Sequence, residues 1–365
     1  MMHMLMETFL TLNARCQMPN ANTKIAILGA SGYTGAELLR LLLPLPDIRI
    51  AALTAEKNAG QPVAALLPHL ADRNLPDLCR IDAVDFSKID LVFCCLPHGT
   101  TQDVIAALPS SLRVVDLSAD FRLADIAVYE KWYGHPHRAP QLQAEAVYGL
   151  TELTRDKIRK ARIVANPGCY PTAPQLSLIP LLRAGLIATD DIIIDAKSGV
   201  SGAGRELKLG SLFSEMSEGM QAYAVASHRH MPEIEQGLSL AAGKNIAVNF
   251  TPHIVPLNRG IFASIYVKLA KGADAEAVRK AWEKAYKDEP FIQILPPGHL
   301  PSTRQVRGTN MCQMTVVADH LPGRVIILST IDNLVKGAAG QALQNMNVML
   351  GLPETTGLNQ TAMFP

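Results

Sequence analysis

The chain has 365 residues, 48% of them hydrophobic and 18% charged, with 34 Lys and Arg against 33 Asp and Glu. That length admits one large domain or two ordinary ones, and the near-zero net charge leaves no basic face for nucleic acid or an anionic membrane. Apolar runs at 38–45 and 179–182 are broken by Arg40, Pro44 and Arg183, well short of the roughly 18 residues that span a bilayer. Six cysteines without a CxxC pair are too few for a disulfide scaffold, so the expectation is a soluble protein of the reducing cytoplasm.

Residues 1–22 read as a tail. They lack a basic leader region, Glu7 interrupts their apolar stretch, and Arg15 is the one basic residue besides His3. From Lys24 a short apolar run at 24–29 predicts a buried parallel strand, followed by Gly29-Ala-Ser31-Gly32-Tyr33-Thr34-Gly35 and a helical pattern over 36–43 that Pro44 stops. A second strand is predicted at 48–54. Glycines at a strand-to-helix turn let the backbone approach closely, so that free N–H groups and the helix dipole face a pyrophosphate. The spacing is GxxGxxG rather than GxGxxG, and the strand before it and the strand after it give it its weight. An NAD site usually ends its second strand on an acidic residue. Here Thr54 and Ala55 stand there, with Glu56 and Lys57 following; a hydroxyl and an ammonium suit a 2′-phosphate, and NADP(H) is the expected cofactor. Strands predicted at 91–96 and 113–117 continue the alternation of a doubly wound sheet, which makes Leu96, Pro97 and Gly99 cofactor neighbours. Cys94 and Cys95 point to opposite faces of their strand and read as core residues.

The most informative stretch is Ala165-Asn166-Pro-Gly-Cys169-Tyr-Pro-Thr. An apolar run at 162–165 ends in Pro-Gly, and Cys169 opens a helical pattern through Leu176, Ile179 and Leu182. A cysteine at a helix N-terminus feels the positive end of the dipole, which predicts a thiolate nucleophile. About sixty residues later Ser227-His228-Arg-His230-Met-Pro-Glu233 offers a proton partner. His230 is the first candidate for acid/base and His228 the reserve, with Glu233 placed to orient an imidazole if Pro232 starts a helix. Zinc at His228/His230 is disfavoured, because no further ligand stands at the right spacing and His135/His137 form only a loose second pair; no metal is expected. Between these segments, after a strand predicted at 192–196, Lys197-Ser198-Gly199-Val-Ser-Gly202-Ala-Gly-Arg205 supplies backbone donors and a fixed charge suited to an anion or a closely approached cofactor. The loop 116–122 adds Ser118 and Arg122.

These residues match a known pattern. The chain resembles the N-acetyl-gamma-glutamyl-phosphate reductases of the semialdehyde dehydrogenase group from about Lys24 to its end, through GASGYTGAELLRLL at 29–42, DLSADFR at 116–122, NPGCYPT at 166–172, KSGVSGAGR at 197–205, HRHMPEI at 228–234 and DNLVKGAAGQALQNMN at 332–347. The resemblance implies an α/β protein in which a doubly wound Rossmann cofactor domain (23–168, joined by a C-terminal helix within 333–365) is coupled to an α+β catalytic and oligomerisation domain (169–332) with a mostly antiparallel sheet. Strands predicted at 248–254, 261–269 and 314–317 and a helix at 273–287 agree with it. It further implies NADPH-dependent reduction of an acyl phosphate through a Cys169 thioester, with His230 as acid/base and Asn333 beside the nicotinamide. Arg122, Arg205 and Lys208, with Ser118 and Asn166, become the residues for phosphate or the α-carboxylate. A homodimer or homotetramer is implied. The sequence leaves open a neighbouring acyl phosphate, aminoadipyl or aspartyl, since one methylene is worth only about 1–3 kcal/mol in a pocket, and a non-catalytic NADPH-sensing protein.

Overall fold

The computed structural model describes residues 22–364, so the expectation of an N-terminal tail falls outside the described residues apart from Asn22. The first seven strands are β1 (Thr23–Leu28), β2 (Ile48–Thr54), β3 (Leu78–Cys79), β4 (Leu91–Cys94), β5 (Arg113–Asp116), β6 (Val147–Tyr148) and β7 (Ile163–Ala165). They form one sheet in the order β3-β2-β1-β4-β5-β7-β6, parallel at every junction. The central strands β1, β4, β5 and β7 are short, mostly apolar and nearly all buried, as helices on either side require. The order reverses between β1 and β4, and in an open parallel sheet a ligand crevice lies at that reversal. The loops that leave β1 and β4, at 29–32 and 95–100, therefore face each other across it.

A second sheet holds β8 (Ile192–Gly199), β9 (Gln221–Ala222), β10 (Val248–Val255), β11 (Ile261–Lys268), β12 (Ile292–Ile294), β13 (Cys312–Ala318) and β14 (Arg324–Ile331) in the order β12-β13-β14-β11-β8-β10-β9. Its β12/β13 and β8/β10 junctions are parallel and the others antiparallel. Ile192, Ile194, Ile261, Ile265 and Ile327 project into a core shared with Leu176 and Ile179 of the helix Cys169–Arg183 and with the fully buried Trp282. That helix is covered on nearly all sides and tolerates Pro174 and Pro180 inside it; Trp282 Nε1 donates to the Ser177 carbonyl at 2.8 Å and Tyr286 Oη to that of Leu176 at 2.5 Å.

The C-terminal segment returns to the first sheet. Val335–Ala339 form a π-helical turn that runs into the α-helix Gly340–Leu350, and Val335, Ala339, Leu343 and Met346 share a core with Ile25, Leu38 and Leu42. Inside this turn Lys336 is completely buried, its Nζ 2.5 Å from Glu152 Oε1 and 2.8 Å from Gln344 Oε1. Burial alone would raise the Glu152 carboxyl, but the Lys336 ammonium and the Gln344 amide bring it below its ordinary value. The pair thus fastens the π turn to the helix Thr151–Lys160. Removing one member of such a pair strands a buried charge, so Lys336→Met should destabilise the protein by about 3–5 kcal/mol, with Lys336→Met/Glu152→Gln recovering part of the loss. Chemical denaturation checks this; a single variant as stable as wild type contradicts it.

Candidate active site

The glycine turn is shaped by contacts that exclude a side chain. Gly29 has φ +81°, and a Cβ there would sit 2.6 Å from the Cys95 carbonyl oxygen, while one on Gly35 would meet Ala30 at 2.7 Å. The helix Tyr33–Leu42 begins at Gly32 with no side-chain cap, so its first-turn N–H groups and dipole are available to an anion. The cradle fits a dinucleotide pyrophosphate. Leu96 lies against the same turn, its Cδ2 3.3 Å from a Gly29 Cβ position, and half-exposed Tyr33 stands at the mouth. The Thr54 hydroxyl, expected to face a 2′-phosphate, is buried and accepts from the Gly29 N–H at 3.2 Å. It braces the turn from below instead. Lys57 is exposed in the one-turn helix Glu56–Asn58, and Glu56 beside it pairs with Arg80 at 3.1 Å.

The loop after β8 meets this crevice from the other sheet. Ser198 is buried, with its hydroxyl 3.1 Å from the Gly199 carbonyl, and a Cβ on Gly199 would strike the 258–259 backbone at 2.8 Å. Asn333 accepts from the Gly260 N–H at 2.8 Å and donates to Ser201 Oγ at 2.9 Å, close to Gly202; it ties the loop in place. Arg205, expected to hold substrate, instead crosses to the cofactor turn, donating to the carbonyls of Ser31 at 3.0 Å and Leu66 at 3.1 Å. Lys208 is 3.7 Å from Glu206 and lines the same cleft as Arg205 and Tyr33. Both cations line the cleft that contains Tyr33, and Arg205 reaches the glycine turn itself.

Cys169 is the first residue of its helix, as its position after Pro-Gly predicts, with Gly168 as N-cap. One carboxylate organises the surroundings. Glu233, in the first turn of the helix Met231–Ala242, is buried and accepts from the Gly168 N–H at 2.8 Å and the Tyr148 hydroxyl at 2.7 Å through Oε1, while Oε2 lies 3.5 Å from Arg122 Nη1. Arg122 is buried too, and donates to the carbonyls of Asn166 and Leu117, both at 2.8 Å. Its Nη1 stands 3.4 Å from His230 Nε2. A Cβ on Gly168 would collide with that nitrogen at 2.6 Å and with Arg122 Nη1 at 2.8 Å, so cation and imidazole converge on the residue before the cysteine. On another side the π turn closes in, with a Gly337 Cβ position only 2.8 Å from Cys169 Cβ.

Three expectations change here. Glu233 does not orient an imidazole, because the start of its helix turns it inward to Gly168 and Arg122. Asn166 is fully buried and joins the C-terminal helix, donating to the Ala338 carbonyl at 3.1 Å and accepting from Asn345 at 3.1 Å, and Ser118 is sealed among Asp116, Thr101 and Asp120; neither presents a polar group to a substrate. The thiol is not held as thiolate. Burial pushes Cys169 up to about 11, against the pull of the Arg122 charge and the Tyr170 N–H. Tyr148, Gln175 and Gln236 escape sequence reading although they complete the frame: Gln175 donates to the Tyr148 hydroxyl at 3.0 Å, and Gln236 grips the Arg122 carbonyl at 2.9 Å.

Both histidines are neutral at physiological pH. His228 falls to about 4, through burial and the Arg229 charge, and His230 falls well below its ordinary value through burial, His228, Arg122 and His98. Arg122 can only donate, so a hydrogen bond at this contact puts the lone pair on Nε2 and the proton on Nδ1, a buried atom without a hydrogen-bond partner among the described residues. His228 Nδ1 accepts from the His230 N–H at 3.0 Å, and its ring packs edge-on to Tyr170 and Phe250. His228 is thereby engaged in placing its neighbour.

The family models described as "Semialdehyde dehydrogenase, NAD binding domain" and "Semialdehyde dehydrogenase, dimerisation domain" match residues 24–161 and 169–333. A protein of Rhodospirillum rubrum named N-acetyl-gamma-glutamyl-phosphate reductase is 60% identical over 346 residues, 93% of this chain and 98% of that protein. The chain belongs to the N-acetyl-gamma-glutamyl-phosphate reductases of the semialdehyde dehydrogenase family. An Arabidopsis thaliana member named as a probable chloroplastic form is 56% identical over 347 residues, covering 95% of this chain and 86% of its own. Solved semialdehyde dehydrogenases share the fold: aspartate semialdehyde dehydrogenase II of Vibrio cholerae aligns with a TM-score of 0.68 at 17% identity, over 91% of this chain and 99% of its own, and the enzyme of Candida albicans, solved with NADP, with 0.66 at 16%, over 90% and 98%. A reductase of this family binds a nicotinamide cofactor, and its second sheet lies in the segment matched as a dimerisation domain. No helix among the described residues is long and apolar enough to cross a membrane.

With its pKa at about 11, Cys169 of the free reductase should be alkylated by iodoacetamide at a rate that climbs roughly tenfold per pH unit from about pH 7 to about pH 9, as the thiolate fraction does. A plateau already reached at about pH 7 would show a stabilised thiolate and contradict the site as described.

Proposed function

We propose that this chain reduces N-acetyl-gamma-glutamyl phosphate to N-acetylglutamate 5-semialdehyde and phosphate with NADPH, through a thioester on Cys169. The observation that carries the reading is the convergence of a helix-terminal cysteine, a lone-pair imidazole nitrogen and a buried guanidinium about Gly168, beside a glycine turn that fits a dinucleotide. His230 Nε2 takes the Cys169 proton as the sulfur bonds to the acyl carbon, and the bond from that carbon to the phosphate oxygen breaks. Arg122 Nη1, directed at the same point, stabilises the negative charge that develops on the acyl oxygen. NADPH, its pyrophosphate held by the glycine turn, would supply the hydride that reduces the thioester. His230 returns the proton as the aldehyde leaves and the thiol is restored. Starting from a neutral thiol and a neutral imidazole, the site creates charge only when substrate occupies it.

Support for NADPH over NADH comes from the end of β2. The Glu56 carboxylate is turned away to Arg80 and to the Ile81 N–H, and Lys57 stays exposed next to it. Gly29, Ser31, Gly32, Tyr33, Thr34 and Gly35 would hold the pyrophosphate, and Leu96, Pro97 and Gly99 would face the cofactor from β4. The working protein is taken to be a homodimer or homotetramer of the cytoplasm.

The deciding assay is phosphate-dependent oxidation of N-acetylglutamate 5-semialdehyde, its aminoadipate homologue and aspartate semialdehyde with NADP or NAD. The expected result is a preference for N-acetylglutamate 5-semialdehyde and for NADP by at least about tenfold, the worth of one charged hydrogen bond to the 2′-phosphate, and no turnover by Cys169→Ala. Turnover by Cys169→Ala, or preference for another aldehyde, refutes the proposal.

A further inference from the structure

Behind Arg122, and away from Cys169, the loop leaving β5 buries two aspartates that the reaction does not use. Asp116 and Asp120 are both completely buried, as is Thr101 at the start of the helix Thr101–Ala107, and Ser118 is almost so. Four side-chain oxygens form a continuous line. Asp116 Oδ2 is 2.7 Å from Ser118 Oγ, Ser118 Oγ is 2.7 Å from Thr101 Oγ1, and Thr101 Oγ1 is 2.6 Å from Asp120 Oδ2. Three such contacts require three protons, one in each, because oxygens this close without a proton between them repel. The two hydroxyls supply two. The third has to come from one of the carboxyls.

The surroundings decide which. Asp120 accepts from the Gly99 N–H at 2.8 Å, the Thr101 N–H at 3.1 Å and the Tyr129 hydroxyl at 2.9 Å, besides the Thr101 hydroxyl, a donor set that holds a carboxylate. Asp116 receives one N–H, that of Ser118 at 3.0 Å. The charged and titratable groups about it are the thiols of Cys94, which ends β4, and of Cys95 directly after it and, on its own loop, Asp120 and Arg122. Burial lifts the Asp116 carboxyl to about 7, with the Asp120 charge adding to the rise and Ser118 and Arg122 opposing it.

We propose that Asp116 is a positioning residue for the reaction: it carries a proton in the resting protein, and that proton completes the chain Asp116 to Ser118 to Thr101 to Asp120 which locks the crevice loop 97–101 to the loop that bears Arg122. Asp116 donates to Ser118, Ser118 to Thr101 and Thr101 to the Asp120 carboxylate, while the Asp120 N–H fills the remaining acceptor site on Ser118 at 3.1 Å. The same two loops are joined by the Gly99 N–H on Asp120 and by the Ala119 N–H on His98 Nδ1 at 3.0 Å, so cofactor wall and catalytic cation move as one body. Loss of the Asp116 proton leaves the Ser118 to Thr101 contact without a hydrogen, and the lock opens as pH rises through neutrality. The functional part of this inference rests on the reaction proposed above; the protonation state does not.

Two measurements separate them. In wild-type protein labelled with 13C at the aspartate carboxyls and assigned through backbone correlations, the Asp116 resonance should titrate with a midpoint near 7. An Asp116 resonance that is a carboxylate at every pH above about 5 overturns the proposal. Asp116→Asn, whose amide can donate to Ser118 permanently, should stay within about threefold of wild-type kcat/KM at about pH 6 and lose the wild-type decline above about pH 7, whereas Asp116→Ala should fall at least tenfold at both. If Asp116→Asn binds NADPH normally yet is as impaired as Asp116→Ala at about pH 6, or keeps the alkaline decline, the positioning role is wrong.

Discussion

The site depends on the hydrogen bond from the Gly168 N–H to the buried Glu233 carboxylate. That amide belongs to the turn which delivers Cys169, and the carboxylate belongs to the helix that begins directly after His230. A single contact of 2.8 Å therefore fixes the proposed nucleophile and base relative to each other, although 61 positions separate Cys169 from His230 in the sequence. The charge on Glu233 also matters, because a buried guanidinium without a counter-charge would be costly. Arg122 can sit behind Gly168 only because Glu233 balances it. Gly168, Tyr148 and Arg122 meet on the one carboxylate, and Gln175 and Gln236 complete the frame around them.

The electrostatics of this frame differ from those of a thiolate site. A thiol at a helix terminus would ionise readily in an open setting. Here partial burial of the thiol and of both imidazoles favours their neutral forms, and the Arg122 charge is opposed by Glu233. In the proposed reaction the resting pair is a thiol and an imidazole. The glycine turn needs no comparable charge balance, since backbone N–H groups and a helix dipole do the binding and Thr54 only holds the turn's shape.

Much of this was legible in the residues. Short apolar runs bounded by Gly and Pro gave β1, β2, β4, β5 and β8 to within a few residues, since a strand buried on both faces needs little else. Gly29 and Gly35 announced the turn, and Cys169 after Pro-Gly announced the helix start. What failed needed distance. Glu233 three residues from His230 suggested a local pair, but its partners Tyr148, Gly168 and Arg122 arrive from elsewhere in the chain. The raised thiol could not be read because burial is a property of the packed fold. Arg205 was assigned by composition, and only the path of β8 shows that it reaches Ser31. β14, Arg324–Ile331, went unread although it is apolar, and the π turn carries no periodic signature that separates it from an α-helix.

The most direct test of the frame is the burst of phosphate released in a single turnover of N-acetyl-gamma-glutamyl phosphate without NADPH, compared between wild type and Glu233→Gln. The burst reports bond formation at Cys169 alone. Glutamine keeps the shape but removes the charge that holds Arg122, and a misplacement of about 1 Å at a reacting centre costs on the order of 10²-fold. The expected result is a burst slowed by about that factor and a thermal midpoint lowered because the buried Arg122 loses its counter-charge, with NADPH affinity close to wild type. A burst within about threefold of wild type would show that the Glu233 carboxylate does not hold the nucleophile and its cation together.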